Sequence, residues 1–321
     1  PLFGDKFEEL FGPARKKGDE LTQYHMDLAA SVQRHTEEVI FHVLRRLHEL
    51  TDLTRVCIAG GVAQNSVANG KITRNTPFKE VYIPSAGHDA GISMGSAQYH
   101  IHQNLGRDRS APIYSACTGS RFSDDDIEVY LKSRDVTYER IASDSELYDR
   151  VSEALIDGAV VGWFNGRAEF GPRALGARSI LVDPRRADAK DLLNAKIKRR
   201  ESFRPFAPSI LEEHVADWFE LDEPVPFMEK VFPILGSRHA EIPAVTHVDG
   251  SGRLQSVMKS VAPRYHGLIS RFHEKTGVPI LLNTSFNENE PIVNAPVHAL
   301  ECYLRTSMDM LVLGNIMIQR H

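Results

Sequence analysis

Residues 162–208 read GWFNGRAEFGPRALGARSILVDPRRADAKDLLNAKIKRRESFRPFAP, and eleven of their side chains are Lys or Arg. The whole chain is acidic, with 38 Lys and Arg against 43 Asp and Glu and a formal net charge of −5 over 321 residues. A basic concentration inside an acidic chain has a local purpose. Interleaved Gly, Pro and Phe suit a shaped pocket better than a solvated polycationic tail. The stretch therefore predicts a site for small, strongly anionic ligands.

Within it, Arg173 sits in Gly171-Pro-Arg-Ala-Leu-Gly176, where glycine and proline fix the backbone and present the guanidinium. A planar guanidinium donates two parallel hydrogen bonds, which suits phosphate or carboxylate. Lys198 falls at the end of a helix predicted over Asp188–Lys198, and Arg204 is held between Phe203 and Pro205. Arg178 and Arg185 read instead as exposed salt-bridge partners.

Outward from this stretch, the periodicity predicts mixed strands and helices, an α/β protein. On the N-terminal side, a short helix is expected over Asp5–Phe11 and a long one over Glu20–Leu50. Leu21, Leu28, Val32, Val39, Val43 and Leu47 recur on the long helix at steps of seven and four, which predicts its core face. Two strand-to-helix turns follow. Arg55–Ala59 leads through Gly60-Gly61 into a helix at Gln64–Ile72, and Val81–Ile83 leads through Ser85-Ala-Gly-His-Asp89 into Ile92–His102. Glycines at such turns let backbone N–H groups approach a ligand, and Asp89 offers a carboxylate for a metal or helix cap. Residues 105–119 break the periodicity and mark a boundary, giving units of 1–110 and 111–321.

Beyond it, helices are expected from Asp124, over 144–157 and over Glu212–Phe219, Pro263–Thr276 and Val297–Thr306. Strands are expected at Val136–Ile141, Ala159–Phe164, Phe227–Leu235, Ala244–His247, Leu254–Val257, Val278–Leu282 and Met310–Leu313. Thr246–Arg253 reads as a hairpin that sets Arg253 beside a strand end. Leu282-Asn283-Thr-Ser285-Phe-Asn287 leaves a buried strand with several hydrogen-bonding groups at one point.

Three widely spaced cysteines argue against a disulfide framework or zinc site, and no apolar run reaches the roughly 20 residues of a membrane span. No leader-like segment opens the sequence, so a cytoplasmic location is expected. Net acidity disfavours nucleic acid as a partner. Neither HxxxH nor HExxH occurs among the 14 histidines, and no Ser-His-Asp or Cys-His set stands out.

Gly60-Gly-Val-Ala-Gln-Asn65, Glu169-Phe-Gly-Pro-Arg-Ala-Leu-Gly176, Leu193-Asn-Ala-Lys-Ile-Lys198, Phe203-Arg-Pro-Phe-Ala-Pro208 and Leu282-Asn-Thr-Ser-Phe286 together resemble the NodU/CmcH-type O-carbamoyltransferases, which modify nodulation factors and antibiotics. The resemblance spans essentially the whole chain. It implies part of an actin/hexokinase-like ATPase domain followed by a YrdC-like α/β domain. In that family carbamoyl phosphate and ATP yield a carbamoyl-adenylate, whose carbamoyl group passes to a substrate hydroxyl. Matched motif by motif, Arg173, Lys198 and Arg204 would be catalytic, and Arg253, Asn283 and Ser285 would bind substrate. Gly60, Gly61 and Asn65 would touch nucleotide, and Asp89 would ligate a metal. The resemblance implies ATP and Mg²⁺ as cofactors and allows a transition metal such as Fe²⁺; it also allows a homodimer. The family's first domain is about twice as long as residues 1–110, and the chain opens at Pro1 rather than Met. A missing N-terminal half, carrying histidine metal ligands, is therefore expected, with adenylate formation retained and final transfer impaired. Two alternatives stay open. One is a threonylcarbamoyl-adenylate synthase serving tRNA, disfavoured by the acidic balance; the other is a non-catalytic nucleotide-binding module.

Overall fold

The long helix runs over Gln23–Thr51, after a short helix at Asp5–Phe11, and its core face is not the expected one. In this computed structural model, which describes residues 4–16, 18–198, 203–221 and 223–320, Phe41 and Leu44 are buried against Val56, Ile72 and Phe78. Glu37 and His48 continue that face, Glu37 in an ion pair with Lys71 at 2.8 Å and His48 edge-on to Phe78. Val32, Val39, Val43 and Leu47 are exposed instead. The reason is angular. Val43 lies two residues from Phe41, roughly 200° around a helix that turns 100° per residue. An aromatic ring buries more area than a valine, so the Phe41 face faces inward.

Strands β1 (Arg55–Cys57) and β2 (Glu80–Tyr82) form a parallel pair, β1 shorter than the expected run and β2 shifted one residue from it. Their connection is broken into a 3₁₀ turn at Gly61–Gln64 and helical turns at Ser66–Asn69 and Ile72–Asn75, rather than one helix over Gln64–Ile72. The helix after β2 spans Ile92–Tyr99 and continues as a π-turn over His100–Asn104.

Among the described residues the main sheet has nine strands: β3 (Glu139–Arg140), β4 (Val161–Phe164), β5 (Arg178–Val182), β6 (Ala207–Leu211), β7 (Lys230–Pro233), β8 (Ser251–Val257), β9 (Ile280–Ser285), β10 (Met310–Leu313) and β11 (Ile316–Gln319). Their order is β3-β11-β10-β4-β5-β9-β6-β8-β7, parallel at β10/β4 and β6/β8 and antiparallel elsewhere. The fold is thus mixed α/β. Strand β5, buried along all five residues, arises inside the basic stretch, whose charges had masked its Ser-Ile-Leu-Val core. The strand expected at Ala244–His247 is a turn, and β8 finds its antiparallel partner in β7, with Arg253 opposite Val231. His247 N donates to Ser251 O at 2.8 Å, so 247–251 closes a tight turn that enters β8, not a hairpin between neighbouring strands.

Helices Asp144–Ile156 and Pro263–Thr276 lie side by side, with Gly267 against the Tyr148 ring. The turn Ser66–Asn69 and Gly70 after it dock on the β7 edge. Asn69 Nδ2 donates to Ala63 O at 2.8 Å and Glu229 O at 2.9 Å. Gly70 lies so close to the Val231 carbonyl that a Cβ would overlap it. Gly70→Ala should therefore lower stability by about 1–3 kcal/mol through overpacking. Thermal unfolding and limited proteolysis near residues 100–115 check this; unchanged melting and digestion would refute the contact.

Candidate functional site

Of the residues expected to bind the anion, Arg253, Asn283 and Ser285 share one face of the sheet formed by β5, β9, β6 and β8. Asn283 lies opposite Leu181 and Ala207, Ser285 opposite Ser179, and Ser209 opposite Gln255. Side chains alternate across a strand, so Arg253, Gln255, Ser209, Asn283 and Ser285 share this face. Hydrogen bonds tie three of them together. Ser209 Oγ donates to Gln255 Oε1 at 2.6 Å, and Asn283 Nδ2 donates to Ser209 Oγ and Gln255 Oε1, both at 3.1 Å.

The loop 169–177 covers that face. The carbonyls of residues 174–176 point toward the sheet. Asn283 Nδ2 donates to Ala174 O (3.2 Å), Gln255 Nε2 to Leu175 O (2.8 Å) and Trp163 Nε1 to Gly176 O (2.9 Å). Its N–H groups converge on one carboxylate: Leu175 N and Ala177 N reach Glu169 Oε1 at 2.7 Å and Arg178 N at 3.2 Å. Gly176 has φ +102° and presses its Cα on the Tyr265 ring, so no side chain fits there.

Arg173 rides on this loop, half-buried. It has no hydrogen bond or ion pair to any described residue, and burial lowers its pKa. Lys198 is 2% exposed, and its Nζ donates to Ser285 O (2.6 Å), Asn287 O (2.7 Å), Asn287 Oδ1 (2.7 Å) and Ser285 Oγ (3.3 Å). The Asp188–Lys198 helix is a short α-turn at Ala189–Leu193 that widens into a π-turn at Asn194–Lys198. Arg204 is exposed, just beyond residues 199–202, which lie outside the described residues. Arg253 is half-buried on β8.

Two arginines of the stretch have other work. Arg178 is not an exposed salt-bridge partner. It is 1% exposed, its guanidinium 3.6 Å from the Phe164 ring centroid, and it donates to Asn165 O (3.0 Å), Ala177 O (2.9 Å) and Ser120 O (3.2 Å). Burial lowers its pKa to about 10. Arg185 pairs with Asp183 at 2.6 Å as expected of a salt bridge, but the pair is not exposed: Arg185 is half-buried and Asp183 buried. Sequence reading missed Glu169, Ser209 and Gln255. A lone acid in a basic loop, and Arg253-x-Gln255 alternating polar with apolar in a strand, were the available signals.

The glycine loops of the first 105 residues line a separate cavity of about 1090 Å³, bounded also by residues 223–230. Gly60 and Asp89 line it with Tyr82, Phe227 and Glu229. Gly60 N donates to Gly87 O at 2.6 Å, which holds the two loops together. Gly61 opens the 3₁₀ turn outside the lining, and Asn65 caps the next turn, accepting from Ala68 N at 3.1 Å and donating to Gln33 Oε1 at 2.9 Å. Asp89 is exposed at the start of a 3₁₀ turn. Among the described residues no three His, Cys, Asp or Glu side chains gather to hold a metal, so Asp89 alone does not make a metal centre. The cavity and the loop 169–177 meet where Gly171, at φ +142°, abuts the Ser85 carbonyl.

A family model described as carbamoyltransferase C-terminus matches residues 152–320, and one described as carbamoyltransferase N-terminus matches residues 3–98. The chain belongs to the carbamoyltransferase family. It is 44% identical to an uncharacterised protein of Synechocystis sp., over 98% of this chain and 56% of that one. Identity to the nodulation protein NolNO of Sinorhizobium fredii is 43%, over 95% of this chain and 46% of that one. To NolO of Bradyrhizobium diazoefficiens it is 40%, over 95% and 57%. The chain thus spans about half the length of these relatives. A crystal structure of full-length HypF in a phosphate- and nucleotide-bound form overlays with a TM-score of 0.38 at 18% identity, over 55% of this chain and 22% of that one. Among the described residues no helix is long and apolar enough to cross a membrane.

Burial pushes the Glu229 carboxyl up to about 7. An acid whose folded pKa is raised holds its proton in the native state after the unfolded chain has lost it, so stability falls as pH rises between the two pKa values. Wild-type stability relative to Glu229→Gln should therefore decline from about pH 4.5 to about pH 7 and stay level above. Denaturant melts across that range test it; a difference independent of pH would refute the shift.

Proposed function

We propose that residues 111–321 form a YrdC-like unit that makes carbamoyl-adenylate, and that residues 1–110 form part of an ATPase-like unit serving carbamoyl transfer to a hydroxyl. The observation that carries this reading is Arg173: a half-buried cation with no counter-charge among the described residues, on a pinned loop over a polar sheet face. Such a cation awaits an anion, and carbamoyl phosphate and ATP are both anionic.

In balance, carbamoyl phosphate, ATP and water give carbamoyl-adenylate, pyrophosphate and phosphate. Water cleaves the bond between phosphorus and the carbamate oxygen. That oxygen then attacks the α-phosphorus of ATP, and the bond to the β-phosphate oxygen breaks. Two polyanions must approach, and charge grows on the leaving pyrophosphate. Arg173 and Lys198 would offset that charge, with Arg204 closing on the phosphates from its exposed position. Arg253, Asn283 and Ser285 would orient the donor. ATP enters as its Mg²⁺ complex, and Mg²⁺ neutralises part of the charge when bound. Gly60, Gly61 and Asn65 would meet nucleotide in the first unit, with Asp89 as one ligand of a metal whose remaining ligands come from elsewhere. The relatives are about twice as long, which supports a transfer site completed by a further segment. The acceptor would be a small hydroxylated molecule.

Pyrophosphate release on mixing the protein with MgATP and carbamoyl phosphate tests the reading. Release requiring threonine and bicarbonate instead would overturn it, as would ATP binding without release. Arg173→Ala should slow release by a factor on the order of 10²–10³, the usual cost of one preorganised donor to a developing charge. Arg185→Ala, whose guanidinium is already engaged by Asp183, should stay within about twofold of wild type. Equal rates for the two variants would exclude Arg173 from the site.

A further inference from the structure

Between the cavity and the loop 169–177 lies the segment 225–230, and both of its ends are fixed. Ser256 N donates to Val225 O at 2.9 Å and Val225 N to Ser256 Oγ at 2.8 Å, which ties residue 225 to β8. Glu229 O accepts from Asn69 Nδ2 at 2.9 Å, and Lys230 enters β7. Between these anchors the chain turns with Met228 in the left-handed region, at φ +55°, where a methionine is strained. A side-chain contact spans the strained residue: Phe227 N donates to Glu229 Oε2 at 2.8 Å.

The turn faces two ways. Phe227 and Glu229 line the cavity. Phe227 and Met228 also belong, with Ala116, Leu175 and Ala207, to one buried apolar cluster. Two members of that cluster act on the loop 169–177. Leu175 is part of it, and Ala116 O accepts from Phe170 N at 2.7 Å where it begins. Close-packed interiors transmit displacement, so a change in the turn reaches the loop through Leu175.

We propose that Glu229 is a positioning residue for adenylate formation: from the cavity its carboxylate clamps the 227–229 turn, and the packing of Phe227 and Met228 carries that restraint to Leu175 and the loop 169–177. The proposal rests on the carbamoyl-adenylate reading above. A cavity ligand that protonates Glu229 or draws its carboxylate away would loosen the loop, so the sheet face would register what the cavity holds.

An ionised carboxylate accepts a backbone N–H more strongly than a neutral carboxyl or an amide does. With Glu229 pushed up to about 7 by burial, the clamp tightens as pH rises through neutrality. Lys230 favours the ionised form and Glu223 opposes it, and those two pair with each other at 2.8 Å. The Tyr82 phenol of β2 is within electrostatic reach, and burial, Cys57 and Tyr114 raise it away from neutrality. The rest of the cavity wall carries Arg55, Glu80, His88, Asp89, His102 and Arg109.

The test is the ratio of wild type to Glu229→Gln in kcat/KM for pyrophosphate release from MgATP and carbamoyl phosphate, taken at each pH. The ratio cancels titration of the substrates and of the histidines in the wall. It should climb roughly three- to tenfold as pH rises, with its midpoint near 7, the gain of a charge-assisted hydrogen bond over a neutral one. A merely structural role would leave the ratio flat or lower it, because the stability of wild type relative to the variant falls as Glu229 ionises. Hydrogen exchange gives a second readout. The Leu175 and Ala177 amides should exchange faster in the variant than in wild type well above neutrality, and alike well below it. Should Glu229→Gln not fold, Leu175→Ala cuts the link instead, and the ratio of wild type to that variant should show the same climb. Release with a ratio independent of pH, or loop amides that exchange alike at every pH, overturns the proposal alone. No pyrophosphate release from wild type at any pH overturns the carbamoyl-adenylate reading and this role with it.

Discussion

One carboxylate holds the candidate site together. Glu169 Oε1 accepts from the backbone N–H groups of Leu175, Ala177 and Arg178. Successive N–H groups aimed at one point make an anion-binding concavity, and here the protein fills it with its own acid. The loop's carbonyls then have nowhere to turn but the sheet, where Asn283, Gln255 and Trp163 donate to residues 174, 175 and 176 in order. With both sides of the backbone committed, residues 174–178 have little freedom. Arg173 extends from the segment beside this frame, and under the proposed function part of the ordering cost of gripping an anion is met on folding.

The same frame explains why Arg178 and Arg173, five residues apart, have opposite fates. Arg178 is deeply buried, which is costly for a cation, but carbonyl oxygens and the Phe164 face surround it. Its hydrogen-bonding capacity is directed inward, and it welds strand β5 to residues 120 and 165–166. Arg173 has burial enough to depress its pKa but no such shell among the described residues. Lys198 stands between the two cases. Its ammonium has three N–H groups, and oxygens of Ser285 and Asn287 surround them, so it shapes the β9 terminus.

What could be read in the sequence follows from how locally each feature is specified. Helix Pro263–Thr276 was legible to the residue because proline opens it and Gly277, at φ +77°, closes it. The pairing of Lys198 with Ser285, 87 residues away, could be reached only by family resemblance, since no local pattern encodes it. Strand β5 was hidden by charge, and only one of its charges belongs to its core: Arg178 begins it. The long helix was misread because a regular valine spacing outweighed the two residues, Phe41 and Leu44, whose burial decides the face. Gln255 and Ser209 were invisible as a pair because the parallel register of β6 and β8 joins positions 46 residues apart.

A tight geometric coupling between the two candidate regions follows from glycine alone. Gly171 opens the Gly-Pro-Arg turn that leads to Arg173, and its Cα touches the carbonyl of Ser85, the first residue of the loop that carries Asp89. Gly91 in turn abuts the Ala86 carbonyl, so the segment 85–91 is folded back on itself at that contact. Backbone meets backbone with no side chain between them, and such contacts cannot be absorbed by a rotamer change. A shift in the loop that carries Arg173 must therefore be met by a shift at 85–91, where the cavity wall begins. The polar sheet face and the cavity are built from distant stretches of sequence, and they meet at this glycine backbone contact as well as at the docking of Asn69 and Gly70 on β7.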